Sequence, residues 1–356
     1  MSTPPLSAKL AREALDVYAR AGENTTEAAR ILGLPRSTLD HRLSVARTMN
    51  LDALEDPPFE TPDLPDEDLP IEDILDRRRK IWKQKHKAEE ARRLISIKIN
   101  IDGPIALVVM GDLHIDNPGT NINLLSDHMD LIRDTEGMLC GCIGDMQDSW
   151  VGRLAVKWRD QGVTGREARK LVEWWAQSLG EKLLFVTDGN HDAWALGTND
   201  IGPLDWISSY YGTVHEANGI RLGLQLPSGE EIRVNARHDF SGRSQFSPAF
   251  GVAKAAHFGW RDHILVAGHI HQTGYVPLKD PKTGLVSHPV RVASYKTIDD
   301  YAQERGFPDS NISECVTFII DPYEADERHR ITVDFNPFRA AKILKMMRQE
   351  WKRGRK

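Results

Sequence analysis

Past about residue 97 the chain settles into short apolar runs that end in polar groups: ALVVMGD, MLCGCIGD, KLLFVTDGN, EIRVNARHD and HILVAGHIH. An apolar run that closes on glycine, aspartate or histidine predicts a buried strand delivering polar side chains at its C-terminal end. Between the first of these runs lie TNINLLSDHMDLIRDT and GREARKLVEWWAQSLGEK, whose apolar spacing predicts helices. Strand and helix therefore alternate, as layered α/β proteins require, and from about residue 214 the pattern becomes richer in strands.

The first fifty residues have a different texture. Residues 7–20 place Leu10, Ala14, Leu15, Val17 and Tyr18 at near-helical spacing. A second short helix follows, opened by Asn24 or Thr25 as N-cap, with Ala28, Ala29 and Leu32 on its apolar face. Gly33 supplies a helix-ending turn, Pro35 stands where a first helical residue is favoured, and a third helix runs through Ser37, Leu39 and Leu43. Three short helices around a Gly-centred turn describe a helix-turn-helix over residues 1–50; a small helical assembly module is the other reading.

At 356 residues the chain is long enough for a small module plus a large one. Apolar residues at 40% and charged residues at 28% place it among globular proteins, outside the disordered and fibrous classes. No stretch approaches the roughly 18 apolar residues of a membrane span. MSTPPLSAKLAREAL lacks the basic-then-apolar pattern of a signal peptide, so a cytoplasmic location and no membrane partner are expected. Three cysteines argue against a disulfide framework, and Cys140 and Cys142 read as small buried residues of a strand.

The net charge of −6 conceals segments of opposite sign. Residues 51–73 hold ten acids and no base, with five prolines from Leu51 to Pro70, which predicts an extended acidic linker. Residues 74–98 hold ten Lys and Arg against three acids, and 74–96 reads as a basic helix, either solvated over the acidic linker or contacting phosphates. Residues 336–356 hold eight bases against one acid and read as a basic C-terminal tail with an amphipathic helix.

The polar groups at the strand ends are Asp112 and His114, Asp145 and Asp148, Asn190, His191 and Asp192, His238, then His269 and His271. Nearly all are oxygen or imidazole metal ligands. Asp112 and His114, two apart in what reads as an extended segment, would point the same way and share a metal, as would His269 and His271.

These residues resemble a family. GDLH, GDMQD, GNHD, a later His and GHIH match the signature of calcineurin-like metallophosphoesterases over roughly residues 100–300, with GNHD also found in the Mre11 and SbcD nucleases. The resemblance implies a four-layer α/β/β/α sandwich over residues 97–335 that holds two divalent ions. Asp112, His114, Asp145 and His271 would hold one, and Asp145, Asn190, His238 and His269 the other, with Asp145 bridging. Two such ions about 3.5 to 4 Å apart can share a hydroxide nucleophile and clamp the phosphate oxygens. His191 would be the catalytic group off the metals, close to the leaving oxygen, with Asp192 either orienting its ring or capping a helix from Ala193. Asp148 would complete the loop, and Trp150 and Arg153 could wall the substrate. His215, His257 and His263 compete with His238, which Arg237 precedes where the family has a small residue.

The segment AARILGLPRSTLDHRL resembles the Fis and NtrC type of helix-turn-helix, which implies base-edge contacts from Arg36, Ser37, Thr38, His41 and Arg42. With SWVGRLA and SYKTIDDYAQERGFPD, the combination looks similar to bacteriophage and prophage phosphoesterases, hence a bacterial or phage-infected cytoplasm. The resemblance and its basic surroundings imply a manganese-dependent phosphodiester hydrolase acting on DNA, with Fe, Zn or Mg as other metals. The alternative is a small-molecule or nucleotide phosphodiesterase or phosphatase whose N-terminal module serves assembly only. Oligomeric state stays open, a dimer being one candidate.

Overall fold

The computed structural model describes residues 7–51, 68–199, 204, 206–298, 306 and 311–354, with backbone alone at 196–199. Most of the acidic linker, residues 52–67, and most of YAQERGFPD therefore lie outside the described residues. The chain divides into two compact units, Met1–Arg78 and Arg79–Lys356.

In the first unit, α1 (Ala8–Arg20) is capped by Ser7. α2 (Thr25–Ile31) is capped by Asn24, whose side chain accepts the N–H groups of Thr26 and Glu27 at 3.0 and 3.2 Å. α3 (Arg36–Thr48) follows a turn in which Gly33 adopts φ +65°. Pro35 is the N-cap of α3 rather than its first helical residue: its backbone is extended, and its carbonyl accepts the Leu39 N–H at 3.2 Å. Small residues build the core, with Ala14, Ala28 and Ala29 against Leu39 and Leu43, and Ala11 against Ala46 and Leu51. Alanines on α1 permit a close approach to the neighbouring helices, and Leu10, expected on the apolar face, is left exposed.

α4 (Ile71–Arg92) is a continuous 22-residue helix with no buried residue. It leads into β1 (Ile95–Lys98).

Two sheets carry the second unit. In one, β2 (Ile105–Met110), β3 (Met138–Cys142), β4 (Leu183–Thr187) and β5 (Val214–Glu216) run parallel, and β12 (Cys315–Ile320) and β13 (Ile331–Asp334) extend it antiparallel beyond β2. In the other, β1 pairs with β6 (Ile220–Gln225), which pairs with β7 (Glu231–Ala236), then β8 (Ile264–Ala267) and β11 (Val286–Arg291), to which the short β9 (Gly274–Tyr275) and β10 (Leu278–Lys279) add antiparallel. β7, β8 and β11 run parallel, so both sheets present several strand C-termini together.

The alternation along β2 shows how the layers form. Ile105, Leu107 and Val109 face the second sheet, meeting Leu222, Val234, Ile264 and Val266, whereas Ala106, Val108 and Met110 face helices. Those helices are α5 (Ile122–Asp134), α6 (Gly165–Leu179), the short α8 (Ile207–Tyr211) and the C-terminal α10 (Pro337–Gly354), which supply Leu125, Met129, Val172, Trp175, Ile207 and Leu344. On the far side of the second sheet, α9 (Phe250–Ala255) packs Val252 against Leu265 and Ala267. The order is α/β/β/α, as expected. Each fully buried side chain of the inter-sheet layer contributes about 1.5–3 kcal/mol.

The segment expected as a basic tail with an amphipathic helix forms α10. Ala340, Ala341 and Leu344 of α10 enter the core. Arg348 is buried and donates to the carbonyls of Asp102 and Pro104 at 3.0 and 2.7 Å, and Glu136 pairs with both Arg348 and Lys352. Those two bases are committed within the fold because the apolar stripe of α10 turns them toward it. Among the described residues no helix is long and apolar enough to cross a membrane.

Candidate metal centre

The parallel strands of both sheets deliver their C-terminal loops to one place. Asp112 and His114 follow β2, Asp145 and Asp148 follow β3, and Asn190 and His191 open α7 (Asn190–Asn199) after β4. From the second sheet, His238 follows β7, and His269 and His271 follow β8. Backbone bonds tie the loops together: Asp112 N–H to Gly144 O at 2.9 Å, His114 N–H to Asp145 O at 3.0 Å, and Gly268 N–H to His238 O at 3.0 Å.

Two groups of donor atoms result. In the first, His114 Nε2 lies 3.2 Å from His271 Nε2, and His271 Nε2 lies 3.5 Å from Asp112 Oδ1. In the second, His238 Nε2 lies 3.1 Å from Asp145 Oδ2, 3.0 Å from Asn190 Oδ1 and 3.1 Å from His269 Nδ1. His238 Nδ1 faces the Ile143 carbonyl at 2.9 Å, which fixes the ring proton there and turns the Nε2 lone pair inward. Lone pairs of carboxylate, amide and imidazole thus converge with few protons among them, a donor set that fits divalent cations. His215 pairs with Asp188, His257 is exposed, and His263 accepts the Arg233 N–H, so His238 alone of the four competitors joins the cluster.

Expectation and structure part over the backbone. Asp112 and His114 are not extended: their φ values are +49° and +41°. Asp145, His269 and His271 are also left-handed, at +53°, +73° and +52°. Left-handed backbone is costly for residues with a Cβ, and its concentration here is the kind of strain that functional sites hold. Two glycines make the close approach possible. A Cβ on Gly189 would stand 2.0 Å from Asp145 Oδ1, and one on Gly268 would stand 2.0 Å from Asp112 Oδ2.

The surrounding charges are strongly perturbed. Burial would raise the Asp112 and Asp145 carboxyls, but the facing histidines hold both below the usual range. Burial opposes protonation of His238, yet Asp145 and Asp112 push it up to about 10, so the carboxylates make this a place that favours positive charge. Burial and the nearby Asp145 push Asp192 up to about 7 against the pull of backbone N–H groups.

Asp192 does not orient His191. It sits in the first turn of α7 and accepts the N–H groups of Asp145 at 2.7 Å, Met146 at 3.2 Å and Gly189 at 2.8 Å, joining two ligand-bearing loops. The His191 ring is held by the Asp148 carbonyl, 2.5 Å from Nδ1, and its Nε2 lies 3.9 Å from Asp145 Oδ2. Trp150 and Trp194 flank that ring at centroid distances of 5.3 and 4.3 Å, whereas Arg153 is exposed.

Several residues at the site carried no sequence signal that singled them out. Arg291, fully buried, donates to the carbonyls of Gly268 and Pro248 and pairs with Asp239 at 2.9 Å, clamping the loops that follow β7 and β8. Ser294 Oγ donates to the Asp112 carbonyl at 2.5 Å. A lone arginine at the end of the apolar run HPVRVA was the available clue.

Of the residues expected to face DNA, Arg36, Ser37 and His41 are exposed at the start of α3 and Thr38 is half-buried. Arg42 is turned back toward Glu13, 3.9 Å away, because it lies beside the core positions Leu39 and Leu43.

No protein-family model matches the chain, and no curated protein matches it. Among solved structures it is similar to Vps29 of Chaetomium thermophilum, at 12% identity and TM-score 0.32 over 65% of this chain and 91% of that one. It is also similar to Vps29 of Entamoeba histolytica complexed with Zn2+, at 12% identity and TM-score 0.30 over 65% of this chain and all (100%) of that one. Nuclease MPE of Pseudomonas putida aligns at 13% identity and TM-score 0.31, over 64% of this chain and 85% of that one.

Proposed function

We propose that the chain is a two-metal phosphodiester hydrolase that acts on DNA. The observation that most supports a metal-dependent phosphoesterase is the convergence of lone pairs on His238 Nε2 beside the His114–His271 pair, with the Asp145 carboxylate 3.1 Å from His238 Nε2 and its carbonyl accepting the His114 N–H. Asp112, His114, Asp145 and His271 would hold one ion, and Asp145, Asn190, His238 and His269 the other. Bound divalent ions supply positive charge for the phosphate oxygens and bring the pKa of water toward neutrality.

The chain's own residues do the rest. His191 keeps its Nδ1 proton on the Asp148 carbonyl and directs Nε2 toward the site, where it holds or passes a proton at the leaving oxygen. Burial lowers the pKa of that ring, so a proton held at Nε2 is readily given up to the leaving oxygen. Trp150 and Trp194 exclude water from one side of it.

Support for DNA comes from the helix-turn-helix pattern and from Arg36, Ser37 and His41 exposed on α3. The test is manganese-dependent cleavage of single- and double-stranded DNA beside a small phosphodiester, in the wild type and in Arg36→Ala with His41→Ala. DNA cleavage that weakens in the variant, with small-ester turnover unchanged, supports the reading. Small-ester turnover with DNA untouched replaces it with a small-molecule phosphodiesterase.

A further inference from the structure

Within helix α4 the stretch 79–87 holds five Lys and Arg and no acid, in a chain whose net charge is −6. Every residue of that stretch is exposed, and Trp82 keeps 63% of its surface in solvent. His86 backs the indole on one side: the two rings stack within 14° of parallel at a centroid distance of 4.9 Å.

At about 100° per residue, Arg79 and Lys85 stand about 60° to either side of Trp82, with His86 about 40° and Lys83 about 100° away. The indole is therefore an aromatic plane flanked by positive charge. The apolar residues Ile71, Ile74, Leu75, Ile81 and Trp82 fall on one side of α4, but Arg78 and Lys85 stand inside the same arc. Cations within the stripe oppose its sinking into lipid, where an amphipathic helix keeps its charges on the far face. A face of this kind fits a polyanion that offers ring faces, with phosphates on the cations and a base on the indole. Single-stranded nucleic acid has both, whereas a duplex stacks its bases on one another and presents only their edges in the grooves.

On the reading of the chain as a hydrolase of DNA, we propose that residues 79–87 of α4 bind single-stranded DNA, one base stacking on Trp82 and neighbouring phosphates meeting Lys83 and Lys85. Every base has a π face, so this surface holds a strand without regard to its sequence. None of the metal-site residues belongs to it.

The test is the fluorescence anisotropy of a labelled oligonucleotide of about 15 nucleotides, single-stranded or as a duplex, with the full chain in chelator so that nothing is cut. Circular dichroism confirms that each variant folds. Trp82→Ala is expected to weaken single-strand affinity roughly 10-fold and to leave duplex affinity unchanged, and Trp82→Phe recovers part of the loss. Lys83→Gln with Lys85→Gln should reduce the slope of log affinity against log salt by about 1.4, or about 0.7 for each phosphate contact removed. A wild type that does not bind the single strand overturns the proposal. So does a Trp82→Ala variant that loses equally on single strand and duplex, or on neither. Trp82-dependent binding to anionic phospholipid vesicles, with the oligonucleotide unbound, replaces the strand with a membrane surface.

Manganese added to the same samples separates this surface from the hydrolase reading. Strand binding that depends on Trp82, without cleavage, upholds the surface and counts against the hydrolase. Cleavage with strand binding indifferent to Trp82 upholds the hydrolase and overturns the surface.

Discussion

The Asp148 carboxylate lies 2.7 Å from Nδ1 of His114, and both side chains are buried. Burial alone would raise the Asp148 carboxyl, but His114, Asn117 and Gln161 bring it down to about 2. A carboxylate on the far nitrogen fixes the ring and makes Nε2 a better donor, the arrangement found behind many metal-bound histidines. Asp148 is thus a positioning residue for His114 and, through its carbonyl, for His191.

Replacing it tests that role. Asp148→Asn is expected to keep the fold and to weaken manganese binding by roughly 10- to 100-fold. Isothermal titration of the chelator-stripped protein measures this, and unchanged affinity would remove Asp148 from the site.

Arg291 offers a second test, on stability. Its guanidinium joins Gly268, Pro248 and Asp239 with no exposed surface of its own. Arg291→Met leaves the Asp239 carboxylate and two carbonyls unanswered and should cost on the order of 3 kcal/mol in urea unfolding. A loss within about 0.5 kcal/mol, typical of a surface substitution, would contradict the clamp.

Gly268→Ala separates the site from the fold. The added Cβ meets Asp112 Oδ2 at 2.0 Å and displaces the carboxylate from the N–H of His269, which now donates to both its oxygens at 3.0 and 2.8 Å. Manganese affinity is expected to fall roughly 100-fold while the far-ultraviolet spectrum stays unchanged. Full affinity in this variant would show that Asp112 is not a ligand.

Acid should act through two buried histidines away from the metal cluster. Burial holds His128 and His288 down to about 4, so both are neutral in the folded state where the unfolded chain titrates near 6.5. Their contribution to stability is therefore complete above pH 6.5 and is lost as pH falls toward 4. Each removes about 1.4 kcal/mol per pH unit across that window. For His128→Gln, the stability of wild type minus variant should shrink by up to about 3 kcal/mol between pH 6.5 and 4. A difference independent of pH would mean that His128 is charged when folded.

What could be read from sequence was the set of strand ends, because an apolar run of β length closing on Asp or His has few other uses. The same signal placed Asp112, Asp145, Asn190, His238 and His271 in five different loops, and those loops meet. Their backbone was not legible: left-handed φ at Asp112 and His114 arises from bonds to Gly144 and Asp145 far along the chain. The role of Asp192 was missed for the same reason, since its partners belong mostly to the loop after β3. Arg291 and Asp148 act through tertiary partners, which spacing does not encode. The segment 336–356 was legible as a basic amphipathic helix, but the pairing of Arg348 and Lys352 with Glu136 was not, because that partner lies 212 and 216 residues away in the sequence.

The most direct test is the rate of bis-p-nitrophenyl phosphate hydrolysis as manganese is titrated into chelator-stripped wild type and Asp145→Asn. Turnover that appears with metal in the wild type, saturates near two ions per chain and is lost in Asp145→Asn is the predicted result. Turnover without metal, or an equal rate in Asp145→Asn, would contradict a metal centre built on Asp145.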